Sequence, residues 1–500
     1  MANITVLGAG HAGLATAVSF AELGHRVTVL EINRQKVQQL NRGSLPYYEP
    51  GLDDLLRRNL EGGHLFITTS CPSALRKSEF VFICVGTPGC AGGAADLSAL
   101  WKAAQSICQY VGRNTVVVNK STVPVGTADR MDEFIRHNRP QGDSLLVVAN
   151  PEFFAEGSAA KDLLHPEMQV IGSSQAQASE AVAELYRPYG CRIIITDTRT
   201  AEMSKYAINT FIAVKISFVN ELAALCERLG ADIKVVSQTL RSHSRVRAGY
   251  LEAGLGWGGS CLPKDVRALE HMARTHGYHP RILRAAHQVN RSQRQLITQK
   301  LLRMLGTLKH KTVGILGLSF KPGTDDMREA PSLDIIRYLL KEGCHVQAYD
   351  PIATERASQL VRQVTFCTDP YQLATGCDAL LLVTEWPQFA ELDLRRLRSG
   401  MKTPYFIDGR NLFNPREMER AGFIYEGIGL GAVNAQDSPY KPRGEMPAAD
   451  LSGGAAQFVN LLQREMSGEI HPVDRQPLVP AAANTRRINK GRALKGEQKW

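Results

Sequence analysis

Ten cysteines are scattered along 500 residues without one C-x-x-C pair. That absence argues against a zinc site and against a disulfide framework, and it suits reduced thiols in a cytoplasmic protein. No metal is expected. No apolar run reaches the ~18 residues of a spanning helix, so no membrane span is expected. The first residues enter a strand and a glycine turn with no charged n-region before them, so no signal peptide is expected either. The formal net charge is +10. Much of it sits near the end, at Arg475, Arg486, Arg487, Lys490, Arg492, Lys495 and Lys499, where the only aromatic close by is Trp500. A nucleic-acid surface interleaves aromatics with its cations, so no nucleic acid is expected there. The mild excess elsewhere fits a phosphate-bearing small molecule.

The length favours two or three domains. Over the first ~190 residues short apolar runs alternate with helical patterns, as in a parallel sheet with crossover helices. Strands are expected at 4–7, 27–30, 80–85, 115–118 and 145–149. From Ala201 the pattern changes. Met203, Ala207, Phe211, Val214, Phe218, Leu222, Leu225 and Leu229 recur every three or four residues, which predicts one long amphipathic helix. It reads as a core helix, and its place between two α/β halves also suits a dimer contact. A second α/β unit opens near Lys311, with strands expected at 313–316, 346–349, 379–383 and 405–407. It lacks a G-x-G-x-x-G turn, so it should share the shape of the first and bind something different. The expected class is α/β, with two Rossmann-like doubly wound parallel-sheet domains joined by the long helix. The boundaries are 1–199, 200–308, 309–431 and 432–500. The last is rich in Pro, Gly, Ala and basic residues and reads as a poorly ordered tail, with one short helix possible at 455–466.

Gly8-Ala9-Gly10-His11-Ala12-Gly13 follows a strand and opens a helix. Gly8 permits the tight turn, Gly10 lets a pyrophosphate approach the backbone, and Gly13 lets helix pack on strand. Glu31 closes the second strand about 20 residues on, where a ribose contact belongs. Its charge repels a ribose phosphate, so the expected cofactor is NAD and not NADP, although Arg34 and Lys36 stand nearby. Thr87-Pro88 and Ser121-Thr122-Val123-Pro124 fall at later strand ends, where open sheets bind their ligands.

Three clusters carry candidate chemistry. Asn150-Pro151-Glu152-Phe153 has Glu156 four residues past Glu152. Lys205 and Asn209 share one face of the long helix. Gly256-Trp257-Gly258-Gly259-Ser260-Cys261-Leu262-Pro263-Lys264-Asp265 sets a cysteine just before a helix whose first residue would be Pro263. A helix N-terminus and Lys264 both favour the thiolate, and Asp265 lies one turn on, so Cys261 is built as a nucleophile. The other nine cysteines read as small buried hydrophobes.

This last segment resembles the active-site loop of the UDP-glucose/GDP-mannose dehydrogenase family. The resemblance continues through 150–157, Lys205–Asn209, the segment Gly317–Arg328 and Ile407-Asp408-Gly409-Arg410-Asn411, and covers residues 1–431. It implies a four-electron oxidation of a nucleotide-sugar C6 alcohol to a carboxylate, using two NAD. Cys261 would carry the thiohemiacetal and the thioester. Glu152 would help activate the water that hydrolyses the thioester. Lys205 and Asn209 would stabilise an oxyanion, and Asp265 would hold a catalytic water near Thr122. The cofactor would meet Gly8, Gly10, His11, Ala12, Gly13, Glu31, Lys36, Thr87, Pro88, Thr122, Glu156, Lys264 and Arg328. The sugar nucleotide would meet Glu152, Phe153, Phe154, Glu156, Lys205, Asn209, Arg245, Tyr250, Leu251, Gly254, Gly258, Lys321 and Arg410. A homodimer is expected.

Family branches acting on N-acetyl sugars carry a histidine before the cysteine, where Ser260 stands here. Two substrates stay open. Residues 407–411, and Arg245 five residues before Tyr250, resemble the UDP-glucose branch, which is favoured. Arg247, in place of a glycine, and His165-Pro166-Glu167-Met168 lean to GDP-mannose. A catalytically dead NAD-binding regulator on the same scaffold is the rival of another class. Intact Cys261, Lys205, Asp265 and Glu152 argue against it. Because the composition of 432–500 cannot form a packed core, its removal should leave turnover largely intact. Loss of folding or activity in that truncation would show the tail to be part of the enzyme.

Overall fold

The computed structural model describes residues 1–139, 145–246 and 248–430. The tail 432–500, its possible short helix and Arg247 therefore lie outside the described residues.

The first sheet holds eight strands: β1 Asn3–Leu7, β2 Arg26–Leu30, β3 Leu65–Thr68, β4 Phe80–Ile83, β5 Val116–Asn119, β6 Leu146–Ala149, β7 Met168–Gly172 and β8 Arg192–Thr196. Their spatial order is β3-β2-β1-β4-β5-β6-β7-β8. Phe-Val-Phe-Ile in β4 and Val-Val-Val in β5 are continuous apolar runs because helices cover both faces of such a sheet. The register is parallel throughout except at β6 and β7, which meet antiparallel through Ala149 and Gly172. The periodicity did not resolve β3, β7 or β8. β3 and β8 are the two edge strands, each with part of its length open to solvent. Chain order reverses between β1 and β4, and the glycine turn sits at that switch point, at the carboxyl ends of the strands.

The second sheet comprises β9 Thr312–Leu316, β10 His345–Tyr349, β11 Val364–Phe366, β12 Ala379–Leu382, β13 Tyr405–Asp408 and β14 Ile424–Glu426, in the order β11-β10-β9-β12-β13-β14. Every pairing in it is parallel. The two short edge strands, β11 and β14, escaped the sequence reading.

Four helices position the site: α1 His11–Glu22, α2 Thr198–Leu229, α3 Leu262–Thr275 and α4 Arg281–Leu305. α2 runs for 32 residues. The Asp197 side chain accepts from the Thr200 N–H at its start, and Gly230 ends it in the left-handed conformation at φ 72°. Its faces reverse the core-helix expectation. The apolar stripe points outward, with Met203 42%, Phe211 63%, Phe218 51% and Leu225 46% exposed. The inner face buries Glu202, Lys205, Asn209, Thr210, Ser217 and Asn220. These polar groups are engaged. Asn220 Oδ1 accepts from the Gly254 N–H at 2.8 Å, and Ser217 Oγ accepts from Trp257 Nε1 at 3.0 Å while donating to the Ala286 carbonyl. By length and composition α2 would suffice to cross a membrane, so the expectation that no such stretch exists does not hold. Its buried polar face packs on α3 and α4.

Candidate functional site

The glycine turn is shaped by close approach. A side chain at Gly13 would put Cβ 1.9 Å from the Gly8 carbonyl oxygen, and Gly8 itself sits at φ +99° against the Cys84 carbonyl. Only Gly8 and Gly13 let α1 start this near β1. At Gly10 a Cβ would meet nothing within 4 Å, so that face of the turn is open. The Ala9 N–H donates to Glu31 Oε2 at 3.1 Å, and Lys36 Nζ lies 3.4 Å from the same oxygen. Burial raises the Glu31 proton affinity, but the Asn33 and Ala9 N–H groups and Lys36 outweigh it and hold the carboxyl below its usual range.

His11 opens α1 and packs against Tyr47 with ring centroids 3.7 Å apart and the planes tilted by 30°. Burial, then the nearby Arg328 charge, lowers its pKa to about 4, so the imidazole is neutral at physiological pH. Its Nε2 is buried and has no partner. An orphaned polar nitrogen beside an open glycine turn fits a dinucleotide pyrophosphate. Thr87 Oγ1 donates to the Thr122 carbonyl at 2.7 Å and ties the two later strand-end loops together, while Pro88 is exposed.

The reactive end is assembled from four segments. Cys261 is the N-cap of α3, with Pro263 as the second helical residue, one place later than expected. Its thiol is exposed, and Sγ lies 3.4 Å from Ser260 Oγ. Ser260 Oγ in turn donates to Glu156 Oε1 at 2.6 Å. One turn into α3, Asp265 is 1% exposed and accepts from Asn209 Nδ2 at 2.6 Å. Lys264 pairs with the other oxygen of the same carboxylate. Lys264 is thus directed to Asp265. Lys205, one turn before Asn209, is buried with Nζ 5.5 Å from the Phe153 ring centroid. Glu152 is folded back on its own loop, where Oε1 accepts from the Phe153 and Phe154 N–H groups at 2.7 and 3.0 Å.

The second sheet contributes from the other side. Lys321 lies over the Phe320 ring at 5.7 Å, and burial lowers its pKa, with the charges of Glu156, Glu49, Asp162 and Cys261 opposing. Arg328 is gripped by Asp326 and reaches Glu156 at 3.4 Å. Burial of Glu156 and the Asp326 charge raise the Glu156 pKa, with the Ser260 hydroxyl and Arg328 opposing. Arg410 donates to the Val383 carbonyl at 2.7 Å and lies against Gly254, whose absent Cβ would come 3.3 Å from the guanidinium. Gly258 is equally constrained, with the Glu329 carbonyl 2.4 Å from where its Cβ would be. Leu251 is buried beside this wall.

Arg245 and Tyr250 are the exceptions. Both are exposed on the loop after the helix Ile233–Ser242, and Tyr250 holds a left-handed φ of 59°. His165 closes the short helix Ala159–Leu164 and Met168 opens β7, so that stretch serves the sheet. Sequence reasoning missed Tyr47, Glu49, Lys120 and Asp326. Glu49 is 2% exposed and accepts from the Gly157 and Ala159 N–H groups at 2.9 and 2.8 Å, fixing the Glu156 loop. Lys120 carried one legible signal, a cation directly after an all-apolar strand.

Three models of the UDP-glucose/GDP-mannose dehydrogenase family match the chain: the NAD binding domain over residues 2–190, the central domain over 199–292 and the UDP binding domain over 314–415. UDP-glucose 6-dehydrogenase TuaD of Bacillus subtilis is 42% identical over 453 residues, 90% of this chain and 98% of the relative. UDP-glucose 6-dehydrogenase of Pseudomonas aeruginosa is 44% identical over 440 residues, 85% of this chain and 97% of the relative. Among solved structures, a UDP-glucose dehydrogenase from Pyrobaculum islandicum superposes with a TM-score of 0.81 at 37% identity, covering 86% of this chain and 98% of that one.

The Glu31 carboxylate, held below its usual pKa range beside the glycine turn, should make kcat/KM with NAD exceed that with NADP by an order of magnitude or more, and Glu31→Ala should narrow the gap. Equal kcat/KM values for the two cofactors in the unaltered protein would refute this role.

Proposed function

The chain belongs to the UDP-glucose/GDP-mannose dehydrogenase family, and from that premise we propose that it oxidises the C6 alcohol of UDP-glucose to the carboxylate of UDP-glucuronate with NAD. One observation supports the chemistry above the rest. Cys261 stands exposed at the start of α3, with the buried Asn209–Asp265 pair one turn inside. Bound NAD would accept a hydride in each of the two oxidations. The first converts the alcohol to an aldehyde and releases a proton. Cys261 Sγ then adds to the aldehyde carbon, giving a thiohemiacetal. The second oxidation removes a hydride and a proton from that adduct and leaves a thioester. Water attacks the thioester carbon, the C–S bond breaks, and the thiol is regenerated with the carboxylate.

The chain's groups divide this work. The Lys205 cation and the Asn209 amide serve the oxyanion, where fixed donors in a water-poor site act most strongly. Asp265 orients Asn209 and holds a water, and Glu152 draws a proton from the water that hydrolyses the thioester. Lys321 and Arg410, from the second half, meet the nucleotide-sugar, and the Gly8–Gly13 turn and Glu31 meet the cofactor. The functional division follows the ranges 1–199, 200–308 and 309–431. All ten cysteines are unpaired, which supports a reducing, cytoplasmic setting.

We also propose that the chain works as a homodimer. The exposed stripe of α2 continues into a cavity of about 2020 Å³ lined by Met203, Phe211, Val214, Tyr278 and Ile282. An apolar surface of this kind on a rigid helix calls for a partner of the same kind, and a second α2 supplies it. Exposed Arg245 would then be free to reach the site of the other copy.

Cys261→Ser should still bind NAD and UDP-glucose while uronate production falls by orders of magnitude, because a serine hydroxyl is hardly ionised near neutral pH. Lys205→Ala should lose ~10²–10³ in kcat through oxyanion stabilisation. Near-normal carboxylate formation by Cys261→Ser would mean oxidation through a hydrated aldehyde. NADH formation measured with UDP-glucose and GDP-mannose in parallel should favour the former. Phe211→Asp should convert the sedimenting species from dimer to monomer. A monomer in the unaltered protein would remove the dimer proposal.

A further inference from the structure

Lys120 follows the all-apolar strand β5 and is 1% exposed, one of the largest fully buried side chains among the described residues. A lysine so deep costs several kcal/mol in desolvation unless its charge is answered. Here it is answered three times. Nζ lies 3.0 Å from Glu152 Oε2 and donates to Asn150 Oδ1 and Tyr186 Oη, each at 3.2 Å. The partners are themselves fixed. Tyr186 Oη donates to Asn150 Oδ1 at 2.7 Å, and Asn150 Nδ2 donates to Gln169 Oε1 and the Val170 carbonyl. Nothing in the chemistry above uses Lys120, yet it spans the carboxyl ends of β5 and β6 and reaches the back of Glu152.

We propose that Lys120 is a positioning residue that keeps the buried Glu152 ionised and orients it, so that Glu152 is ready to take the proton of the hydrolytic water. The geometry supports this directly. Both Glu152 oxygens face donors: Oε1 the Phe153 and Phe154 N–H groups, Oε2 the ammonium. Such a set suits the carboxylate. Without the ammonium, burial would favour the protonated form, which cannot act as a base. The remaining titratable groups facing the pair are Cys84 at the end of β4 and Tyr186 on the helix Ala176–Tyr186. Burial pushes each of them up to about 12, so both stay neutral. Burial draws the Lys120 pKa down, but Glu152 and its neighbours more than reverse this and hold it above its ordinary range. Gln169 on β7 is neutral, and Lys205 sits across the Phe153 ring. Lys120 is therefore the cation in direct contact with Glu152, with the Lys205 charge one ring away.

The inference rests on the role given to Glu152 above, and the two are separable. Glu152→Gln should stall after the second oxidation, with the thioester on Cys261 detected by mass spectrometry after acid quench. Retained hydrolysis in Glu152→Gln would overturn the Glu152 role itself. With that role standing, Lys120→Gln and Lys120→Met should move the acid limb of the kcat–pH profile upward by about one unit or more. They should accumulate the same thioester below the shifted limb and leave the Kd for NAD unchanged. A folded Lys120→Gln with an unmoved acid limb would overturn the inference, because a merely structural lysine would lower Tm without touching the profile. If both single variants fail to fold, the double variant Lys120→Met/Glu152→Gln decides. Removing both charges should restore folding if Lys120 serves to balance Glu152. An unfolded double variant would overturn the inference.

Discussion

The site depends on how the backbone from Gly256 to Cys261 is held between the two halves. The Trp257 N–H and carbonyl are both taken by the Asn290 side chain of α4, at 2.7 and 3.0 Å. Two residues on, the Gly259 N–H donates to the Arg328 carbonyl at 2.9 Å, which anchors the loop to the segment after β9. The fit leaves no space for side chains. A Cβ on Gly258 would strike the Glu329 carbonyl, and one on Gly259, at φ +84°, would strike the Phe320 ring. The glycines before Cys261 are therefore the condition for central helices and second sheet to close around one thiol. Cys261 inherits its position from this clamp, and α3 starts where the clamp ends.

The unusual polarity of α2 follows from the same requirement. A helix that must anchor a glycine-rich loop needs fixed donors and acceptors on its inner face; Asn220 and Ser217 supply them to the loop, and Asn209 holds Asp265 of α3. Its apolar residues are then displaced to the outer face. Periodicity alone finds the stripe but cannot say which side is covered. A core helix and an interface helix have the same sequence period, and only the packing of α3 and α4 separates them.

Several interior carboxylates are answered by local partners. Glu31 is held by two backbone N–H groups and Lys36, Glu49 by two more N–H groups, Asp326 by Arg328, and Glu152 by its own loop and Lys120. Each carboxylate stands at a strand end or a loop that lines the cleft. Buried charge without such partners would neutralise or unfold the site. At Glu31 and Asp326 the partners outweigh burial and hold the carboxyl below its usual range, whereas at Glu49 and Glu156 burial prevails and raises it.

The nucleotide turn, the long helix, the second α/β unit and the cysteine at a helix start were legible in the sequence because each rests on local chemistry: glycine spacing, 3.6-residue periodicity, apolar runs, and a proline one residue past Leu262. Short edge strands such as β11 and β14 were not, since three residues carry too little pattern. Nor was the antiparallel step from β6 to β7, because a strand's direction leaves no mark on its composition. The partners of the reactive groups belong to the tertiary structure alone. Ser260 meets Glu156 across 104 positions, and Asn209 meets Asp265 across 56. Lys120 reaches Glu152 only because β5 and β6 lie side by side. Sequence by itself determined which groups this protein can use. Which of them touch, which are buried, and therefore which carry charge was decided by the closure of the two sheets around α2, since proton affinity depends on neighbours that chain order does not specify.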